Sequence, residues 1–259
     1  MMQLQGQNLL KKIIFKLLNT LLSVNYTIFP LGDSAATIDL GNTINEFLND
    51  KIIGMQQWMQ AQPFAGQKDI IVAYSSLTVM FDPVLVRQHY HPSSTIFEWV
   101  RNRLLLAFEQ AVVQPANHAD IIRIPVCYTA AFAMDLDKMA AEKKMDKQEI
   151  IDLHTSVAYR VYTIGFLPGF SYMAEVHEKL ITPRKPRPVP VAAGSVGIAG
   201  AQTGIYPLNS PGGWHIIGRT PVQQFDAGDK ELVRLKVGDK VQFYAIGEEE
   251  YREKLIIKS

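Results

Sequence analysis

Residues 194–221, GSVGIAGAQTGIYPLNSPGGWHIIGRTP, set the tightest limit on what this chain can fold into. Glycine at this density destabilises a helix by about 1 kcal/mol per position, and Pro207 and Pro211 each lack a backbone donor. The stretch therefore reads as short strands joined by tight turns, with a bare backbone that lets a ligand approach closely. Its polar side chains are Gln202, Thr203, Asn209, Ser210, His215 and Arg219, a set rich in amide and hydroxyl groups and poor in charge. Residues 159–173, YRVYTIGFLPGFSYM, have the same character: a β-rich run enters a Gly-Phe-Leu-Pro-Gly-Phe turn. The two stretches together have the composition of a binding site.

From Val157 onward the chain shows strands and turns without a helical period, and many short strands with Gly/Pro punctuation imply a closed barrel. The first half differs. Short β runs at YTIFPL, AATIDL, DIIVAY, SLTVMF and IIRIPV alternate with helical patterns over 43–60 and 94–113. This is the β-α-β-β-α-β order of a ferredoxin-like sandwich with an extra N-terminal hairpin strand. Its expected core comprises Ile44, Phe47, Leu48, Trp58, Phe97, Val100, Leu104 and Phe108. Two further short helices are expected, one opening at Asp135 and one at Asp146, where Glu149 gives capping-box spacing, ending near His154. Glu248 to Glu250 read as a solvated charge run. The fold class is thus α+β, with a boundary near residues 125–129: an extension over 1–25, a ferredoxin-like α/β sandwich over 26–126 and a β-barrel over 127–259.

GFLPGFSYM, the Thr182-Pro183-Arg184 turn, AGSVGIAGAQTGIYPLNSPGGW and IIGRTP occur in the order and at about the spacing of the 5-oxoprolinase B-subunit family. Members of that family are also described as allophanate hydrolase subunit 1, as carboxyltransferase domain C/D-like proteins and as Kip-type inhibitors of a sporulation histidine kinase. The sequence resembles the family from about Tyr26 to about Ala245. The resemblance implies a cyclophilin-like barrel in the C-terminal half.

Composition narrows the partners. With 26 Lys+Arg against 25 Asp+Glu the formal net charge is +1, and no basic stripe is interleaved with stacking aromatics, so nucleic acid is not an expected partner. Cys127 is the single cysteine, which fits a reducing cytoplasm, and its place in the apolar run IIRIPVCYT marks a buried structural thiol. In residues 9–22, apolar pairs recur every four positions with Lys11, Lys12 and Lys16 between them, the pattern of an amphipathic helix. Those lysines break the run well short of a transmembrane length, and no small-residue cleavage site follows as a secretory signal requires. Packing on the domain or a partner is the simplest role for this helix; membrane-surface binding and an upstream start codon are the alternatives.

The chain has no phosphate-binding loop: Gly194, Gly197 and Gly200 lie between β runs rather than at a helix N-terminus. His89 and His91 on an extended segment would make two metal ligands without a third, so no metal is expected. Gln202 has two readings. Its carboxamide matches the N–H and C=O edge of a lactam or urea, or it satisfies backbone groups in a glycine-rich turn. Thr203 and the amides of Gly200 and Gly204 are candidate donors to a carbonyl oxygen. His154, at a helix end facing a barrel mouth, is a candidate for proton transfer, or else caps the last carbonyls. His215 beside Trp214 is a weaker candidate for a site role. Arg184 and Arg219 are candidate carboxylate forks, although Arg184 in TPRKPRP also fits a solvated loop. Phe166, Phe170, Tyr206 and Trp214 are candidate pocket walls, Phe166 equally a barrel-core residue.

The resemblance implies the B-subunit of an ATP-dependent 5-oxoprolinase, inactive alone, which hydrolyses 5-oxoproline to glutamate together with the A- and C-subunits. ATP would then be used by the complex, its chemistry shared with the partner subunits. The alternatives within the resemblance are an inhibitor of a sensor histidine kinase and a urea- or allophanate-processing carboxyltransferase-like component with a biotin-bearing partner.

Overall fold

The structure, a computed structural model, describes residues 24–113, 121–228 and 232–256; the expected helix over residues 9–22 lies outside them. In the N-terminal half, strands β1 (Thr27–Pro30), β2 (Ala35–Asp39), β3 (Gln67–Ala73) and β4 (Ser76–Phe81) form a four-stranded antiparallel sheet in the order β1-β2-β4-β3. Helix α1 (Glu46–Ala61) begins where the Asn45 side chain accepts a hydrogen bond from the Leu48 amide. Helix α2 (Pro83–Tyr90) is an element the sequence pattern did not single out, although Asp82 caps the Val84 and Leu85 amides and Pro83 occupies the first turn. Helix α3 (Ile96–Gln110) opens with Thr95 and Glu98 in capping-box positions, Thr95 bonding the Glu98 amide. His89 therefore lies on a helix and His91 is its left-handed C-cap, so the extended His-x-His geometry considered for a metal does not form.

The core of this half differs in part from the expected set. Val100 and Leu104 are fully buried, Leu48, Trp58, Phe97 and Phe108 only flank the core, and Ile44 and Phe47 are not part of it. The reason is the phase of α1: starting at Glu46, it turns Ile52, Met55 and Met59 onto Ile38, Leu77 and Val79 of the sheet.

The strand IIRIPV corrects the sandwich topology. As β5 (Ile122–Cys127) it runs parallel to a strand from the far end of the chain, residues Lys240–Ile246, from Ile122 opposite Val241 to Cys127 opposite Ile246, and belongs to the barrel. The place beside β2 that a returning strand would fill is occupied by β1. The chain thus passes from sheet to barrel before residue 122, not after residue 126. The other barrel strands are β6 (Ala158–Ile164), β7 (Ser171–Ala174), β9 (Ser195–Ala199), β10 (Gln202–Ile205), β12 (His215–Arg219) and β13 (Lys240–Ile246). Seven strands close it in the order β10-β7-β6-β13-β5-β12-β9. Inward positions such as Val126, Val161, Met173, Ile198, Ile205, Val241 and Phe243 fill it. Cys127 is buried, as its apolar setting required.

A separate two-stranded ribbon, β8 (Val189–Val191) with β11 (Ser210–Gly212), stands beside the barrel. Helices α4 (Leu136–Lys143) and α5 (Lys147–Thr155) follow Asp135 and Asp146 as expected, although neither aspartate makes a side-chain cap bond. The acidic run is solvent-facing, as expected, and opens α6 (Glu248–Ile256), where Glu248 and Glu250 pair one turn on with Arg252 and Lys254. Among the described residues, no helix is long and apolar enough to cross a membrane.

Candidate functional site

His154 does not face a barrel mouth. It is 0% exposed, stacked 4.8 Å from Phe243 inside the barrel. Its Nδ1 lies 2.8 Å from the Tyr128 hydroxyl and its Nε2 2.9 Å from Thr203 Oγ1, while Thr203 Oγ1 donates to the Gly197 carbonyl at 3.1 Å. Only one arrangement of protons satisfies this chain: Tyr128 donates to Nδ1, Nε2–H donates to Thr203, and Thr203 donates to Gly197. Burial lowers the His154 pKa to about 3, so the ring is neutral near pH 7. Thr203, also 0% exposed, is occupied in the same chain. Both side chains are buried and bonded to each other inside the barrel, and neither lines the aromatic cleft of Phe170, Tyr206 and Trp214.

The polar side chains with unused capacity lie outside the barrel wall. Phe170, Tyr206 and Trp214 meet edge to face, with centroids 5.1 and 5.3 Å from Phe170, and line one side of a cleft of about 480 Å³ closed by the β8–β11 ribbon. Gly212 makes the cleft possible, since a Cβ there would stand 2.3 Å from the Tyr206 hydroxyl. Phe166 is 64% exposed at the rim over Phe170, not in the barrel core. Among the described residues, Arg184 is the one basic side chain lining the cleft. It stands near Tyr172, whose phenol is raised by burial and partly drawn back by that guanidinium. Among the described residues no carboxylate pairs with Arg184. The TPRKPRP segment that carries it is pinned rather than loose: Lys185 Nζ meets Asp135 at 2.6 Å, and the Lys185 amide donates to the Gly213 carbonyl.

Beside the Tyr172 wall the N-terminal sheet touches the barrel. Gln202 Nε2 donates to the Tyr74 hydroxyl at 2.6 Å, so Gln202 bonds a side chain of the other half rather than a backbone turn. Tyr74 sits in the two-residue β3–β4 turn at φ 40°, a left-handed conformation that a bulky residue rarely adopts. Buried Asn49 holds it there, its Nδ2 donating to both the Tyr74 and the Tyr162 carbonyls while its Oδ1 accepts from Arg160 Nε. Arg160 in turn pairs with Asp50, whose carboxyl pKa burial raises despite that cation. The Tyr74 ring stacks on Tyr162, 5.9 Å away, and meets Tyr172 at 6.4 Å. Burial pushes the Tyr74 phenol up, so it remains a protonated donor.

Other expected contributors lie elsewhere. The Gly200 amide donates to the Thr182 carbonyl, and Gly204 lies in β10 between β7 and β9, so the sheet engages both backbones. Arg219 Nε donates to the Ala193 carbonyl and faces a different groove, with Gln224 and Tyr251. His215 is buried, its Nε2–H donating to the Pro183 carbonyl. Sequence reasoning missed Tyr74 and Tyr172; the available signal for Tyr74 was an aromatic in a hairpin turn where glycine or asparagine is usual.

The family described as carboxyltransferase domain, subdomain C and D, matches residues 26–235. The 5-oxoprolinase B-subunit of Bacillus subtilis (strain 168) is 38% identical over 232 residues, covering 89% of this chain and 97% of that protein. The protein of the same name from Escherichia coli O157:H7 is 33% identical over 216 residues, covering 83% and 94%. Among solved structures, TTHA0988 superposes with a TM-score of 0.69 at 32% identity, covering 82% of this chain and 40% of that one. The K. lactis urea amidolyase gives a TM-score of 0.72 at 18% identity, covering 90% and 15%, a likeness of fold alone. With the family model matching most of the chain and these relatives covered nearly end to end, the chain belongs to the carboxyltransferase subdomain C and D family, that of the 5-oxoprolinase B-subunits.

Proposed function

We propose that this chain is the B-subunit of an ATP-dependent 5-oxoprolinase, which opens the 5-oxoproline lactam to glutamate only together with the A- and C-subunits. The observation that carries the reading is the aromatic cleft, with Arg184 as its one basic side chain among the described residues, and the Gln202–Tyr74 pair beside it. 5-oxoproline is a small flat lactam bearing one carboxylate. In this reading Arg184 takes the carboxylate as a fork, Phe170, Tyr206 and Trp214 take the ring faces, and Gln202 meets the lactam edge. His154 and Thr203 hold the barrel and take no part.

An unactivated amide resists water, which is why ring opening is coupled to ATP. The cleft does not fit a triphosphate, since a lone guanidinium and no helix N-terminus line it, so ATP is assigned to the partner proteins of the complex. A cytoplasmic location accords with the single, buried cysteine.

The test is reconstitution. Mixing the chain with the A- and C-subunits and ATP should convert 5-oxoproline to glutamate, while the chain alone does not; Gln202→Ala should abolish turnover and leave the circular dichroism spectrum and melting temperature unchanged. Inhibition of a histidine kinase without any reconstituted turnover would replace this reading with the inhibitor one.

A further inference from the structure

We infer that Gln202 and Tyr74 form one recognition element, built from both halves of the chain, that selects amides presenting N–H and C=O side by side and rejects the corresponding esters. The inference deepens the proposed lactam-binding role and rests on it. Its basis is the direction of a single hydrogen bond. Gln202 Nε2 donates to the Tyr74 hydroxyl at 2.6 Å, which fixes the orientation of the carboxamide. Two groups then remain for a ligand: Gln202 Oε1, which only accepts, and the Tyr74 hydroxyl proton, which only donates once its oxygen has accepted from Gln202. No other bond to either is formed among the described residues. An acceptor and a donor side by side complement the edge of a cis amide, as in a γ-lactam or urea. A lactone offers an oxygen lone pair where the N–H should be, and Gln202 Oε1 repels it.

Tyr74 is the donor of the pair, and Asn49 is what positions it. Asn49 grips the turn carbonyl of Tyr74 and the Tyr162 carbonyl of the barrel together, so the hydroxyl is delivered only when sheet and barrel are docked. The pair adjoins the cleft through Tyr172, which Tyr74 meets at 6.4 Å and which also lines the cleft with Arg184. The amide-reading pair and the guanidinium thus share Tyr172 as a neighbour.

The experiment is calorimetric titration of the full chain with 5-oxoproline and with its ring-oxygen analogue, the γ-lactone carboxylate. Wild type should prefer the lactam by roughly tenfold, the effect of one mismatched polar contact. Tyr74→Phe keeps the ring stack but frees the carboxamide to turn over and offer its NH₂ to the lactone. The preference should then fall to near unity while the melting temperature stays within a few degrees; a merely structural role would weaken both ligands alike. Equal binding of lactam and lactone by wild type, no lactam binding at millimolar concentration, or an unchanged preference in Tyr74→Phe would each overturn the inference. Turnover in the reconstituted mixture reports separately on the proposed function: turnover without the preference sinks only this inference, and the preference without turnover sinks only the 5-oxoprolinase reading.

Discussion

Gln202 and Thr203 are consecutive residues of β10, and they lie on opposite sides of the barrel wall. Thr203 faces inward and closes a buried chain with His154 and Tyr128 in which every donor has an acceptor. Gln202 faces outward to Tyr74, and among the described residues its oxygen has no partner. Alternation along a strand sends neighbours to opposite environments, so two polar residues that look equally functional in sequence differ completely in chemical availability. The barrel interior uses polar groups for uniqueness of packing; the seam between the two halves keeps some of theirs in reserve.

The largest expected effect breaks the interior side of the comparison. His154→Leu orphans the Tyr128 hydroxyl and the Thr203 oxygen at once and replaces a flat ring with a branched chain, a change expected to cost about 3 kcal/mol of stability in urea denaturation. Ligand affinity measured well below the denaturation midpoint should be unchanged. A His154→Leu protein as stable as wild type would show that the chain of bonds is not what holds the barrel.

The second effect is set by pH. His154 titrates at about 3 when folded, against 6.5 unperturbed, so the unfolded chain binds a proton that the folded one refuses. Its contribution is fully present above pH 6.5 and is lost as pH falls from there toward 3, with a slope of about 1.4 kcal/mol per pH unit. Between about pH 6.5 and 5 wild type should lose about 2 kcal/mol from this group, and His154→Gln should lose that much less. Parallel stability curves for the two proteins would show that the ring is protonated in the fold.

Much of this division is legible in the sequence. Glycine and proline spacing announces the barrel strands, and the aromatics Phe170, Tyr206 and Trp214 announce the cleft, because close approach needs glycine and Gly212 stands against Tyr206. What sequence does not carry is pairing across distance. β5 pairs in parallel with β13 near the far end of the chain, and parallel pairing leaves no turn signal between the partners. Tyr74 meets Gln202 from 128 positions away. The inward turn of His154 is hidden for a related reason: two residues packed on it, Phe243 of β13 and Tyr128 just past β5, come from either side of it in sequence. The C-terminal helix, by contrast, is written locally, in glutamates and basic residues four apart, the same charges that keep the run solvated.

The smallest effects sharpen the outer side, where two arginines of similar appearance separate. Arg184 rims the cleft, and among the described residues no carboxylate neutralises it, so Arg184→Ala should weaken 5-oxoproline binding by about tenfold or more. Its exposed position means that stability should move by less than about 0.5 kcal/mol. Arg219 holds the Ala193 carbonyl through Nε, at 2.7 Å, in a groove shared with Gln224 and Tyr251. Arg219→Ala should therefore leave lactam affinity within about twofold of wild type, while losing about 1 kcal/mol of stability with that bond. Calorimetry and urea denaturation on the two variants place them in opposite corners: one loses ligand and keeps its fold, the other keeps ligand and loses a little fold. If Arg219→Ala instead lost the ligand, the carboxylate would sit in the Tyr251 groove, and the aromatic cleft would be a neighbour of the site rather than its centre.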